Sequence, residues 1–287
     1  MTPTRAAQPD EDQAGAQPDR VFINILCGVD GTRKSYDAVE QGAALAGPQG
    51  HLTLLAVTAV TGAGAYRNAA ISPSRAERLL DRAARIADDA HVPATVLIDP
   101  TGPPSQVILD RAAEHDLLAL GAPAGSLVGG LFIDGVAVSA LGSFTTPLLL
   151  ARSLPGQRRF PERILVASDG LEGSDKLVEL AGRLARAHGA GVILLHAIGV
   201  ESRSHPHRVQ EQARKLEALV GGTSEVKVEA GDAAEAIVQA AGEEAVSLIV
   251  AGSRRLEGLQ AFGSVSRQVV HEAPCSVLLM PPERLKA

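Results

Sequence analysis

"ILCGVDGTRKSYDAVEQGAALA" (25–46) and "ILVASDGLEGSDKLVELAGRLA" (164–185) align without a gap, and this pairing decides the fold. Each stretch begins with an apolar run and passes through Asp-Gly (Asp30-Gly31, Asp169-Gly170). Each then meets a serine (Ser35, Ser174) and continues with apolar residues three and four apart. The first period is that of a buried strand and the second that of an amphipathic helix. A second pair follows in the same order: "GPPSQVILDRAAEHDLLALG" (102–121) parallels "GDAAEAIVQAAGEEAVSLIVAG" (231–252). Between the pairs, each half carries one more apolar run, "HLTLLAV" (51–57) and "AGVILLHA" (190–197). Self-similarity over this span marks a duplicated structural unit.

Strands alternating with helices imply right-handed βαβ connections and a parallel sheet. The chain is therefore read as α/β: two tandem Rossmann-like domains, each a five-stranded parallel sheet flanked by helices. The first domain is expected at 21–151 and the second at 163–287. Residues 152–162 ("RSLPGQRRFPE") form the linker, where Pro, Gly and Arg interrupt the apolar pattern. Asp232, with Glu235 three residues on, has the spacing of a capping box. Residues 1–20, rich in Pro, Gln, Asp and Ala, have no apolar core of a signal peptide and are expected to be a disordered tail.

Composition narrows the function classes. Hydrophobic residues make up 45% of the chain but aromatics only 2%, so the core must be built from Ala, Val, Leu and Ile. These side chains suit parallel sheets covered by Ala-rich helices. A net charge of −6 without any Lys/Arg block argues against a nucleic-acid face. No apolar run approaches a membrane span, so the expected location is the cytoplasm. Cys27 and Cys275 are expected to be reduced core residues. His205 and His207 in "SHPHR" lack a Cys or acidic partner at ligand spacing and read as solvent-exposed loop rather than a metal site. The chain has neither a P-loop string nor a Gly-x-Ser-x-Gly elbow, and no general base stands beside a nucleophile.

In open parallel sheets, ligands bind beyond the carboxyl ends of the strands. Asp30 and Asp169 follow the first strand of each half, where a carboxylate can accept from an adenine amino group or a ribose hydroxyl, or can cap the next helix. "GSVS" (263–266) opens a helix whose first N–H groups have no intrahelical partner and favour an anion. There Gly263 lets the backbone approach a phosphate, and the Ser264 and Ser266 hydroxyls can donate. The same string also reads as an ordinary helix cap.

The stretches "ILVASDG", "ILLHA", "GDAAEAI", "LIVAGS" and "GSVSRQVVHEAPCSVLL" resemble the universal stress protein family, and the resemblance covers nearly all of residues 21–282, twice over. It implies an adenine-nucleotide site with a regulatory role in stress response. The ligand would be ATP (with magnesium), or alternatively AMP or ADP. In the nucleotide-binding branch, a Gly-x-x-Gly, nine further residues and a Gly-Ser/Thr cradle the phosphates. Carried onto this sequence, Gly252 is the first glycine, Gly263 the third and Ser264 the following hydroxyl, with Val265 and Ser266 completing the helix mouth. Ala167, Ser168 and Asp169 would form the adenine- or ribose-contacting turn, and the Ala197 backbone would meet the adenine edge. The family also implies pseudo-twofold pairing of the two domains, and a homodimer formed through an edge strand such as "CSVLLM" (275–280).

Two departures bear on the site. Arg255 holds the second glycine's place, and only seven residues separate it from Gly263. It would either obstruct a triphosphate or reach over it as a bidentate donor. In the first half the loop after Gly121 reads "APAGSLVGGLFIDGVAV" (122–138). Gly125 and Gly135 keep the nine-residue spacing, but Val136 stands where the hydroxyl belongs. That half reads as degenerate, with Asp30, Val57, Gly121, Gly125 and Gly135 as its weaker candidates. Two further readings stand beside the nucleotide sensor. One is a nucleotide-free scaffold. The other is a slow ATPase or self-phosphorylating enzyme with Ser264 or Ser266 as acceptor and Asp169 as the available acid.

Overall fold

The computed structural model describes residues 21–58, 71–122, 136–137, 141, 144–154, 156, 159–198, 206–222, 224–253 and 264–285. The 1–20 segment, most of the first-half glycine loop and the 254–263 loop lie outside them. The first half runs β1 (Asn24–Gly28), α1 (Arg33–Ala46), β2 (His51–Val57), α2 (Pro73–Asp89), β3 (Ala94–Asp99), α3 (Pro104–Ala112), β4 (Leu117–Gly121) and β5 (Leu148–Ala151). The second runs β6 (Arg163–Ser168), α4 (Gly173–His188), β7 (Gly191–Ile198), α5 (Pro206–Val220), β8 (Glu225–Ala230), α6 (Ala233–Glu243), β9 (Leu248–Gly252), α7 (Ser264–Glu272), β10 (Ser276–Met280) and α8 (Pro282–Leu285). Both halves are five-stranded parallel α/β units, as the periodicity predicts.

The two sheets fuse into one of ten strands, in the order β3-β2-β1-β4-β5-β10-β9-β6-β7-β8. Every pairing is parallel except the joint, where β5 and β10 run antiparallel. At that joint Leu149 lies opposite Leu278, flanked by Leu148–Leu279 and Leu150–Val277. Leu118 pairs with Leu148 and its counterpart Ile249 with Val277, so Leu149 and Leu278 are equivalent residues of the two halves. The joint is thus a local twofold centred on one leucine pair. This corrects one expectation: the apolar strand at 275–280 is an interior strand, paired with β5 and β9 of its own chain, and offers no edge to a second molecule.

Both faces of the sheet are covered by helices, so the central strands are apolar on both sides. On one face, Ile25, Leu54, Leu80, Leu149, Ile164, Leu184 and Leu278 belong to a single core that runs across both halves. On the other, Leu26, Leu118, Leu150, Ile249, Ile237 and Leu279 do the same. Cys27 and Cys275 are buried within these layers and unpaired. Burial pushes both thiols up to about 12, so neither carries appreciable thiolate at neutral pH.

Beside the leucine pair, polar groups lock the joint. Arg152, immediately after β5, donates from its guanidinium to the carbonyls of Val270 (2.6 Å) and His271 (3.0 Å) at the end of α7. Its backbone N–H donates to Ser276 Oγ (3.0 Å), and its carbonyl accepts from Gln41 Nε2 (2.8 Å). The Ser276 hydroxyl closes the circuit by donating to Gln41 Oε1 (2.7 Å). A first-half arginine therefore caps the C-terminus of a second-half helix, where cations are favoured.

Local chemistry sets the helix starts. Asp232 Oδ1 accepts from the N–H groups of Ala234 (2.9 Å) and Glu235 (3.0 Å), capping α6. Asp232→Ala is expected to lower unfolding free energy by about 1 kcal/mol, read from the midpoint of a urea titration. After β1 and β6, Gly31 and Gly170 adopt φ of 86° and 71°, the left-handed turn that the repeated Asp-Gly supplies.

Candidate functional site

In the second half, β6 leads to β7 and β8 on one side, whereas β9 and β10 lie on the other. The chain order reverses between β6 and β9, and the crevice above their carboxyl ends is where such sheets bind ligands. A cavity of about 650 Å³ lies there. It falls within the range of small-molecule sites.

Seven of the ten second-half candidates line this cavity, from four separate segments. They are Ala167 and Ser168 at the end of β6 with Asp169 just after it, Ala197 on β7, Gly252 at the end of β9, and Val265 and Ser266 in the first turn of α7. Ser264 begins that helix. Arg255 and Gly263 lie outside the described residues. The remaining walls are largely hydrocarbon: Leu171, Leu177, Leu195, Ile237 and Val269, with Pro282 and Leu285 from α8. Apolar plates beside the open N-terminus of α7 suit a flat ring joined to an anionic group.

The polar candidates do different work from one another. Asp169 Oδ1 accepts from the Leu171 N–H (2.8 Å) and the Ser174 hydroxyl (2.8 Å), holding the turn that carries it into the cavity. Asp30 makes the matching turn in the first half, accepting from the N–H (2.8 Å) and hydroxyl (2.7 Å) of Thr32, which in turn caps α1. Ser168 is buried; its hydroxyl donates to Gln212 Oε1 (2.6 Å) and accepts from the Gly170 N–H (3.0 Å). The expectation that the Ser266 hydroxyl donates to a ligand needs correcting. Buried in the first turn of α7, it donates to the Gly252 carbonyl (2.8 Å) and ties the helix to the end of β9. That bond positions the helix mouth.

Sequence reasoning passed over three contributions. Gln212 on α5 donates to the Leu171 carbonyl (3.2 Å) and Asp175 Oδ1 (2.7 Å), so it braces the Asp169 turn from the neighbouring helix. Its signal was a polar residue within the apolar stripe of Val209, Ala213 and Leu216. Ser253 is 1% exposed, lines the cavity, and its hydroxyl has no partner among the described residues. A buried donor left unmade is costly and calls for an explanation. The third contribution is α8, which reaches back over the cavity; "PPERL" after the last strand carried no motif to announce that.

Of the first-half candidates, Asp30, Val57 and Gly121 are among the described residues. Gly121 abuts the first turn of α1: a Cβ there would fall 2.8 Å from the Lys34 Cβ and 2.9 Å from its carbonyl carbon. This glycine serves helix–strand packing. Lys34 stands where the gapless alignment puts Gly173 in the second half, which lines the cavity. Val57 is buried, and Val136 packs against the core layer that holds Val57 and Leu120. Gly125 and Gly135 lie outside the described residues, as does His205. His207 pairs with Glu211 (3.2 Å) along α5. Among the described residues, no group of three or more His, Cys, Asp or Glu is placed to hold a metal, and no helix is long and apolar enough to cross a membrane.

A duplicated parallel α/β unit with a cavity at its topological switch point defines a doubly wound class of α/β protein. Comparison with known proteins narrows that class. The universal stress protein family pattern matches residues 22–152 and again 161–281. The chain belongs to the universal stress protein family, as a tandem member. A Thermus aquaticus protein, "universal stress protein in QAH/OAS sulfhydrylase 3′ region", is 36% identical over 132 residues, covering 41% of this chain and 96% of that one. Universal stress protein YxiE of Bacillus subtilis is 30% identical over 144 residues, covering 41% of this chain and 97% of its own. The crystal structure of a universal stress protein from Archaeoglobus fulgidus DSM 4304 superposes with a TM-score of 0.75 at 20% identity, covering 92% of this chain and 97% of that one. That likeness extends the shared fold over both halves.

Proposed function

We propose that the second half binds an adenine nucleotide and that occupancy regulates the protein in a stress response. The observation that carries this reading is the convergence of seven residues from four segments on one cavity at the switch point. The apolar walls suit the adenine ring, Asp169 and the Ala197 backbone stand where its edge and the ribose would be read, and the mouth of α7 suits a phosphate. A regulatory output requires that ligand favour one arrangement of the chain over another. The last helix lines the cavity and is the described segment through which this would act.

The test is mass spectrometry of small molecules released on denaturing the purified protein, followed by calorimetric titration with AMP, ADP and ATP, with and without magnesium. Binding near one adenine nucleotide per chain is expected. Two per chain would return the first half to service, and no release and no heat would overturn the reading in favour of a nucleotide-free scaffold. Ser264→Val removes a hydroxyl at the mouth of α7 and is expected to weaken binding by about 1–2 kcal/mol, roughly tenfold in Kd. Unchanged affinity in that titration would put the phosphate elsewhere.

A further inference from the structure

We propose that Leu285 on the last helix determines which nucleotides the cavity accepts: it closes the space beside Gly252, so that a nucleoside bearing one phosphate fits and a di- or triphosphate enters only by displacing α8. The proposal rests on the nucleotide reading above and adds to it a selection by phosphate number.

Gly252 is where a ligand's anionic end would meet the protein. The Ser266 hydroxyl holds the first turn of α7 against its carbonyl. The next residue contributes the buried, unpartnered Ser253 hydroxyl to the same cavity. Helix N–H groups and one free hydroxyl are a donor set for a single phosphate. Beyond them, the described side chains that face Gly252 are hydrocarbon. A Cβ on Gly252 would stand 2.7 Å from Leu285 Cδ1 and 3.3 Å from Leu177 Cδ1, so these two methyl groups occupy the room the glycine leaves. On its other side, the Leu285 carbonyl lies 3.5 Å from where a Cβ of Gly173 would be, which places the residue between the end of β9 and the start of α4.

The helix is held in this position. The Ser253 N–H donates to the Met280 carbonyl (2.9 Å), fixing the point where the chain leaves the sheet, and the Arg284 N–H donates to the Pro281 carbonyl (3.0 Å) to close the turn. A second or third phosphate pressed against these two leucine side chains would lose hydration there, with no replacement donor among the described lining residues on that side. Alanine at 285 would clear the hydrocarbon without touching Ser253, Ser266 or Asp169.

The test titrates the full chain, the Leu285→Ala variant and a chain ending at Pro281 with AMP, ADP and ATP. The full chain is expected to bind AMP about tenfold more tightly than ATP. Both variants should shrink that ratio to within about threefold, through tighter ATP binding and with AMP nearly unchanged. Equal affinity of the full chain for AMP and ATP would overturn the proposal while leaving the nucleotide reading intact. So would a ratio unaltered in both variants. Failure of all three forms to bind any of the three nucleotides would overturn the nucleotide reading and this proposal with it.

Discussion

Leu278→Ala, and equally Leu149→Ala, is expected to lower unfolding free energy by about 3 kcal/mol, because each truncates a fully buried side chain whose surroundings cannot collapse to fill the void. The two leucines face each other across the antiparallel joint and are equivalent residues of the two halves. They share one void when both are cut, so the double variant should not show the sum of the single effects. Among the described residues, the joint is also the only place where strands of the two halves pair. Weakening it should let the halves unfold at different denaturant concentrations, turning a single transition into two. Urea titration followed by circular dichroism reads both quantities. Leu80→Ala, equally buried but on α2 and remote from the joint, serves as the control and should retain one transition. A single transition of unchanged slope in the double variant would show that the halves are coupled by something other than this strand pair.

Arg152→Met is the second large effect, expected at about 2–3 kcal/mol of stability. Methionine keeps much of the apolar stem but removes the donors that meet the Val270 and His271 carbonyls at 2.6 and 3.0 Å. Those carbonyls end α7, where the helix's partial negative charge collects. Arg152→Lys preserves the charge but cannot present two N–H groups in the guanidinium's planar geometry, so it should recover only part of the loss. The same urea titration checks both variants, and methionine as stable as arginine would remove Arg152 from the account of the joint. Since α7 runs from this joint to the cavity, a nucleotide titration of Arg152→Met also reports whether the first half supports the second half's site.

The first half has structural work of its own. Its Gly121 is packed under α1, its Val57 is buried, and its Val136 joins the core. Its β5 and Arg152 meanwhile complete the edge and the helix cap that the second half would otherwise lack.

Much of this was legible from the sequence. The gapless match of 25–46 with 164–185 carries period, turn and helix phase, which are local properties of the chain, and the parallel α/β class follows from them. The placing of Asp169 and Ser266 at one crevice was also within reach of the switch-point rule, and the family resemblance added Ala197 and Gly252. The Asp232 cap depends only on residues two and three places away, and it too was visible. Side-chain partnership was not. Ser264 and Ser266 look alike in "GSVS", yet Ser266 is committed to a carbonyl fourteen residues earlier in the chain. Gln212 is one polar residue on an apolar stripe until α5 is laid against β6.

What the sequence determined by itself was therefore the repeated unit, its layer order and the edge of the sheet where a ligand belongs, because hydrophobic period and turn chemistry act over a few residues. What only the tertiary structure decided was which strands meet at the joint, which hydroxyls remain available and where the last helix lies. An apolar strand such as 276–280 carries the same pattern whether its neighbour belongs to its own chain or to another. Leu285 reaches Gly252 only because β10 delivers it there, through contacts between residues far apart in the chain that no local pattern records.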